Sequence, residues 1–443
     1  MFKNYKANKN YYLSTVVLAG PVVISQLGHT LVQTADTIIV GRFAGTISLA
    51  AVSLVHTVFM VVMVVGIGIA YGLTPLIAQQ NGKSNLQECA RLLSNSFWLN
   101  LVSGILLFAL VYYGSMYAME HAGQDPRVVS TARPYLLLLS TSIVPLMIFN
   151  AFKQFAEGLG FTKQAMQITI WGNVINIALA LLLITGAFGI TPLGVKGVGI
   201  ATLADRLLMM GVMGWYVLRS NHFKKYIQYF SITFVDMARV RQILKIGLPV
   251  ASQYVFEIGA FAAAALLAGK IGAVEQAAHQ TAITLVAMTY MMASGIGSAA
   301  TIKVGHSFGK GNLYRLHKYA VASYHLVLMF MFVCALLFIV LHRYLPYLVT
   351  KDIAVINLAS QLIIIAGIFQ LFDGTQVVGL GTLRGIRDVN IPTIITFFAY
   401  WIVGLPLGYF LGVTMGLGVK GIGMASHRAF LLHPSYCTCD SVI

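Results

Sequence analysis

The chain has 443 residues, 58% of them apolar and only 9% charged, with a mean hydropathy of +0.81; soluble proteins carry roughly 25% charged residues. That composition excludes an ordinary soluble enzyme, and 42 glycines suit helices packed closely in lipid. The formal charge of +16 is scattered along loops instead of gathered on one face, so no nucleic-acid partner is expected.

The amino terminus (MFKNYKANKN) is polar and basic and runs into an apolar stretch too long for a cleavable signal. Apolar spans follow near 12–40, 48–78, 91–114, 130–157, 165–189 and 197–218. The polar stretch 219–245, with Lys224, Lys225, Arg239 and Arg241, reads as a solvated surface linker beside lipid headgroups. Further spans lie near 243–268, 277–303, 317–341, 353–383 and 393–413. Each is long enough to cross a hydrocarbon core of ~30 Å at ~1.5 Å per residue. No run shows the short alternation of a β-barrel strand. Loop cations concentrate on the side of the amino terminus, which predicts that this terminus is cytoplasmic.

The two series of spans repeat each other. Residues 193–201 (LGVKGVGIA) return as 417–425 (LGVKGIGMA). Pro21, opening PVVISQ, is echoed by Pro249, opening PVASQ; Gly66 and Gly68 are echoed by Gly295 and Gly297, and Gly158 by Gly385. The expected architecture is all-α and polytopic: two six-helix lobes related by a pseudo-twofold axis along the membrane normal. Residues 1–225 form the amino-terminal lobe and the start of the linker, and 226–425 the carboxy-terminal lobe with five spans and the start of a sixth. From Ser426 the text (SHRAFLLHPSYCTCDSVI) loses its membrane character where the duplication demands a twelfth helix. Residues 426–443 are expected to be an aberrant non-membrane tail, from a frameshift or as a natural variant.

Parallel repeats with a cavity between them are transporter logic. Asp36, Glu257 and Asp373 lie well inside apolar spans, where a carboxylate costs ~2.5–3.5 kcal/mol, so each is a functional candidate. Such a group can take up H⁺ or, joined by carbonyls freed at Pro21 or at glycine-broken turns, hold Na⁺. Asp205 and Arg206 are adjacent and cannot face each other on a helix, so each is expected to pair with a neighbour. Lys153 and Glu157 are expected to form an interfacial ion pair at i,i+4. Tyr254, Phe256, Phe369 and Phe372 stand near the carboxy-lobe acids, placed to offer ring faces to a cationic drug, with bundle packing the plainer alternative. No GxxxxGK[ST] occurs, His279 stands without a second ligand at metal spacing, and the four cysteines give no disulfide framework. Neither an enzyme active site, a metal nor a cofactor is expected.

At these residues the chain resembles the multidrug and toxic compound extrusion (MATE) family, in its NorM-like bacterial branch. The resemblance runs from about residue 12 to 425 and rests on the segments around Pro21 and Asp36 (PVVISQ, ADTIIVG), around Glu257 (GLP, FE), on AAHQ at 277–280, and on FQLFDGTQ and LRGIRD around Asp373. It implies twelve helices in two lobes and export of cationic amphiphilic compounds in exchange for Na⁺ or H⁺. By the same resemblance Glu257 and Asp373 belong to the cation region of the carboxy lobe, with Asp352 a further acid. Asp36, Asn176 and Thr202 belong to the amino lobe. Ala180 stands where a second polar residue of the fifth helix is usual, which removes a Na⁺ ligand and leaves Asp36 as a proton-titrating group. The expected setting is a monomer in the inner membrane among lipids, with small cationic drugs and Na⁺ or H⁺ as partners. A lipid-linked-saccharide flippase or an inactive truncated protein are the alternatives.

Overall fold

The computed structural model describes residues 2–121, 125–189 and 191–431, with side chains from residue 9 to 425 apart from Phe188. Every regular element among them is helical. Eleven stretches are long and apolar enough to cross a membrane, from Lys9–Phe43 to Asn390–Thr414, and they coincide with the spans expected from hydropathy. Polar and apolar side chains are distributed as lipid demands. Leu13, Tyr113, Trp171 and Leu266 are exposed, whereas Asn95, Asn100, Asn176 and Gln370 are almost wholly buried.

In chain order the helices are α1 (Phe2–Phe43), α2 (Gly45–Tyr71), α3 (Leu73–Gly82), α4 (Leu86–His121), α5 (Pro126–Thr141), α6 (Ile143–Gly158), α7 (Thr162–Thr185) and α8 (Gly194–Arg219). The short α9 (Lys224–Ile227) lies in the linker. Then come α10 (Met237–Ile271), α11 (Ala273–Gly309), α12 (Leu313–Leu341), α13 (Ile353–Gly385) and α14 (Asn390–Phe397). The eleventh span continues from α14 through π-helical turns at Phe398–Gly404 and Phe410–Thr414 that flank α15 (Leu405–Tyr409). Pro406 has no N–H to give to an α-helical bond there. The described part of the last helix, α16 (Gly418–Leu431), has 14 residues, about 21 Å of rise. It runs through Ser426, where the composition changes, to Leu431. Cys437 and Cys439 lie outside the described residues.

Packing divides the chain into two units: Ile24–Ala251, and Met1–Val23 together with Ser252–Ile443. The divisions fall inside α1 and α10, two residues after each of the repeated prolines. Each unit therefore contains the opening segment of the other half's first helix. The repeated glycines make room for those segments. A Cβ on Gly68 would stand 2.6 Å from the backbone nitrogen of Ala251, and one on Gly295 would stand 2.8 Å from that of Val23. Small residues at these crossings let backbones touch, the usual basis of helix association in lipid.

Packing adds to one expectation and corrects another. The linker keeps Lys224, Lys225 and Arg241 exposed, as expected, and is also docked onto its unit. Phe223 and Tyr226 are buried against Phe155, Tyr226 donates to Asn81 Oδ1 at 2.8 Å, and Trp98 Nε1 donates to the carbonyl of Ile232. Arg239 clamps its far end with a two-point pairing to Glu88 at 2.7 and 2.9 Å and a further bond to Asp236. Apolar aromatic rings at 223 and 226 account for the docking, and burial pushes the Tyr226 hydroxyl up to about 12, with the Cys89 thiol adding a smaller push. Lys153 and Glu157 also lie within the protein instead of at an interface, 5% and 4% exposed, with Nζ 3.9 Å from Oε1 and 3.1 Å from Ser25 Oγ.

Candidate functional site

Each unit holds a buried group of carboxylates. In the carboxy-terminal unit, α10, α11, α13 and α14 line a small cleft whose polar lining comes from Gln253, Tyr254, Glu257, Tyr290, Ser294 and Arg384, among others. Glu257 is 7% exposed and accepts a hydrogen bond from Tyr290 at 3.1 Å. Asp373 is 2% exposed, within electrostatic range of Glu257 and of Tyr290. Gln376, one turn from Asp373 on α13, lies near Tyr400 on the π-helical turn of the eleventh span. One turn earlier, Gln370 donates to Thr289 at 2.6 Å and ties α13 to α11.

Arg384 was not singled out from the sequence. It lines the cleft and donates to Gln253 Oε1 at 3.0 Å and Tyr254 OH at 3.5 Å, its guanidinium 5.4 Å from the Tyr254 ring centre. Gln253 in turn donates to Thr393 Oγ1 at 2.9 Å. Tyr290 and Gln253 were not singled out either. Tyr290 carried one available signal, a hydroxyl in the middle of an apolar span.

Of the four candidate drug-contacting aromatics, Tyr254 lines the cleft. Phe369 and Phe372 pack around Ala260 and Tyr400 instead, and Phe256 packs against Phe397 at 5.1 Å while its carbonyl accepts from Trp401. Asp352 is not brought to the acids. It is exposed and caps α13, its side chain accepting from the N–H of Ala354 at 2.8 Å and of Val355 at 3.3 Å. The carbonyls released by the prolines are also too distant. Pro21 frees that of Val17, 19 residues before Asp36 and about 28 Å along the helix; Pro249 frees that of Lys245, 12 residues and about 18 Å before Glu257.

In the amino-terminal unit the structure brings together Asn176 and Thr202, joined at 3.4 Å between α7 and α8. Asp36, 3% exposed on α1, lies within electrostatic range of Asp205 and Arg206 on α8 and of Tyr135 on α5. Arg206 donates to Ser142 Oγ at 2.6 Å and rests over the Phe59 ring at 5.1 Å. Asp205 Oδ1 is buried without a hydrogen bond. Ala180 is fully buried.

Each unit thus holds carboxylates out of water, near hydroxyl and amide side chains. Comparison with known proteins identifies the family. The MatE family model matches twice, at residues 21–182 and 249–410, with both ends displaced by the same 228 positions. Multidrug resistance protein MdtK of Yersinia pseudotuberculosis serotype O:1b (strain IP 31758) is 33% identical over 401 residues, covering 90% of this chain and 88% of that protein. Among solved structures, the eukaryotic MATE transporter AtDTX14 superposes with a TM-score of 0.89 at 18% identity, covering 98% of this chain and 96% of that one. An outward-facing multidrug resistance MATE family transporter of the MOP superfamily gives 0.87 at 20% identity, covering 96% and 95%. At such identities these two likenesses speak for the fold alone.

Proposed function

Because the chain belongs to the multidrug and toxic compound extrusion family of multi-pass membrane transporters, we propose that it is a secondary active multidrug exporter of the cell inner membrane. In this reading it exchanges cationic amphiphilic compounds for Na⁺ or H⁺. The observation that carries it is the cleft bearing Glu257, with Asp373 in electrostatic range behind it. Two like charges in a low-dielectric site repel, and one bound cation relieves them. A coupling ion and a cationic drug then compete for the same negative charge, and competition for one site yields antiport. The amino-lobe group Asp36, Asn176 and Thr202 serves as a second place for the coupling ion.

Tyr254 offers its ring and Glu257 its charge to a drug, whereas Arg384 is occupied by Gln253 and Tyr254. A lipid-linked-saccharide flippase, the second reading, wants a more basic cavity than this one cation beside a carboxylate provides. The test is ethidium efflux from vesicles of the cell membrane loaded with the dye, under an imposed Na⁺ gradient and separately under a pH gradient. Efflux driven by at least one gradient is expected. Efflux indifferent to both overturns the antiport reading.

A further inference from the structure

Among the buried oxygens of the amino-terminal unit without a hydrogen-bond partner, which include Asn100 Oδ1, Ser115 Oγ and Tyr216 OH, are three on α1, α7 and α8: Asp36 Oδ1, Asn176 Oδ1 and Asp205 Oδ1. A group left unpaired in a dry interior loses the hydrogen bonds it made to water, most severely when it is charged, so three that gather together call for an explanation. The packing of α7 on α8 shows that two of them share one seam. These helices run antiparallel through a short connection, and Asn176 meets Thr202 on it. One turn further, at Gly172 on α7 and three residues on at Asp205 on α8, the same seam closes on the carboxylate. A Cβ on Gly172 would stand 2.5 Å from Asp205 Oδ1, so the glycine leaves the space that the oxygen occupies. Residues four apart on α7 and three apart on α8 face the same way. The third oxygen belongs to Asp36, on α1 of the same unit and within electrostatic range of Asp205.

Arg206 does not quench this group. No ion pair within 4.0 Å joins it to either acid among the described residues, and its bonds go to Ser142 and the face of Phe59. With two carboxylates and one fixed guanidinium the cluster lacks one positive charge. His29 and Lys153 lie within range of each other, and His29, His56 and Tyr135 lie within range of Arg206; His56 is bonded to Tyr135 OH at 2.7 Å.

We propose that Asp205 is a second coupling carboxylate of the amino-terminal unit, forming with Asp36, Asn176 and Thr202 a site for one monovalent cation, with Arg206 as the fixed charge that limits it to one. The inference rests on the cation-coupled reading above and names a residue and a stoichiometry which that reading leaves open. It places the acid on α8, at the turn beyond Asn176, while the opposite turn of α7 ends in the methyl of Ala180.

The experiment uses the full chain, purified and reconstituted. Binding of ²²Na⁺ is measured directly, and proton release on adding Na⁺ is followed with a pH dye, for wild type, Asp205→Asn, Gly172→Ala and Ala180→Asp combined with Asp205→Asn. Asp205→Asn should weaken or remove one of the binding events by about tenfold or more. Gly172→Ala, which keeps every charge and crowds Oδ1, should weaken the same event, and it decides the matter if Asp205→Asn does not fold. Ala180→Asp should restore part of what Asp205→Asn removes. Should Na⁺ prove not to bind, proton uptake across a pH titration takes its place, with Asp205→Asn losing one proton. Unchanged cation affinity and stoichiometry in the folded Asp205→Asn protein, or in Gly172→Ala should Asp205→Asn not fold, overturns the proposal even where gradient-driven efflux persists. Loss of gradient-driven efflux in wild type overturns the function reading instead, so the two failures are told apart.

Discussion

Glu157 and Arg384 stand immediately before Gly158 and Gly385, at matching places in the two halves, yet they carry opposite charges. In the amino-terminal unit the position is an acid beside Lys153; in the carboxy-terminal unit it is a cation bonded to Gln253 and Tyr254 and facing a cleft with Glu257. The acids differ as well. Glu257 is satisfied by a tyrosine hydroxyl, whereas Asp36 and Asp205 each keep an oxygen without a partner. The duplication preserved crossing glycines and prolines, while the buried charges were redistributed. Backbone symmetry here is a matter of packing small residues, and the chemistry placed upon it is free to diverge.

The sharpest way to break this comparison is to remove the satisfied carboxylate. Glu257→Gln should lower gradient-driven ethidium efflux to about a hundredth of wild type or less, with an unchanged amount of protein in the membrane; a factor of that size is ~2.7 kcal/mol, within the insertion cost such a charge must justify. Equal loss from Asp36→Asn together with near-normal efflux from Glu257→Gln would invert the ranking of the two units. The shared part of the two halves is tested by Gly68→Val and Gly295→Val. Each puts a side chain against another helix backbone and should cost about 1–3 kcal/mol, read as a lowered melting temperature in detergent. If only one of them destabilises, the crossings are not equivalent. Tyr290→Phe removes the hydroxyl that bonds Glu257 and should change apparent affinity for the coupling cation by about tenfold.

Smaller effects separate structural acids from functional ones. Asp352→Ala should cost about 1 kcal/mol through loss of a helix cap and leave the cation dependence of efflux unaltered. A shifted cation dependence would return Asp352 to the coupling site. In the linker, Tyr226 is held protonated up to about pH 12, against an ordinary value of 10. Its folded-state value is raised, so its contribution to stability is fully present below pH 10 and is lost as pH rises from 10 towards 12. Absorbance titration of tyrosinate should lose, in Tyr226→Phe, one group that titrates near pH 12.

Much of this was legible in the residues. Eleven spans, two halves and the buried acids Asp36, Glu257 and Asp373 follow from hydropathy and from repeated prolines and glycines, because lipid punishes any misplaced charge. The seam that joins Asn176 to Thr202 was reachable through family resemblance. Arg384 was not, since a cation just before a loop looks the same in sequence whether its side chain turns to headgroups or into a cleft. Phe223 and Tyr226 were equally hidden: two aromatic residues among lysines read as a surface segment until their pockets are seen. Asp352 illustrates the reverse error, a carboxylate whose partners are backbone N–H groups two and three residues ahead and invisible to any search for charge pairs.

The position of the two divisions inside α1 and α10 has a consequence for how the protein is made. During synthesis the first 23 residues emerge long before the segment from 252 onward that they pack with, and the unit spanning 24–251 lacks its last helix segment until α10 is translated. Neither half is therefore a self-sufficient intermediate at the ribosome. A gene split between residues 228 and 236 should yield two fragments that are each degraded when expressed alone and that accumulate when coexpressed, as the exchanged helix openings find their hosts.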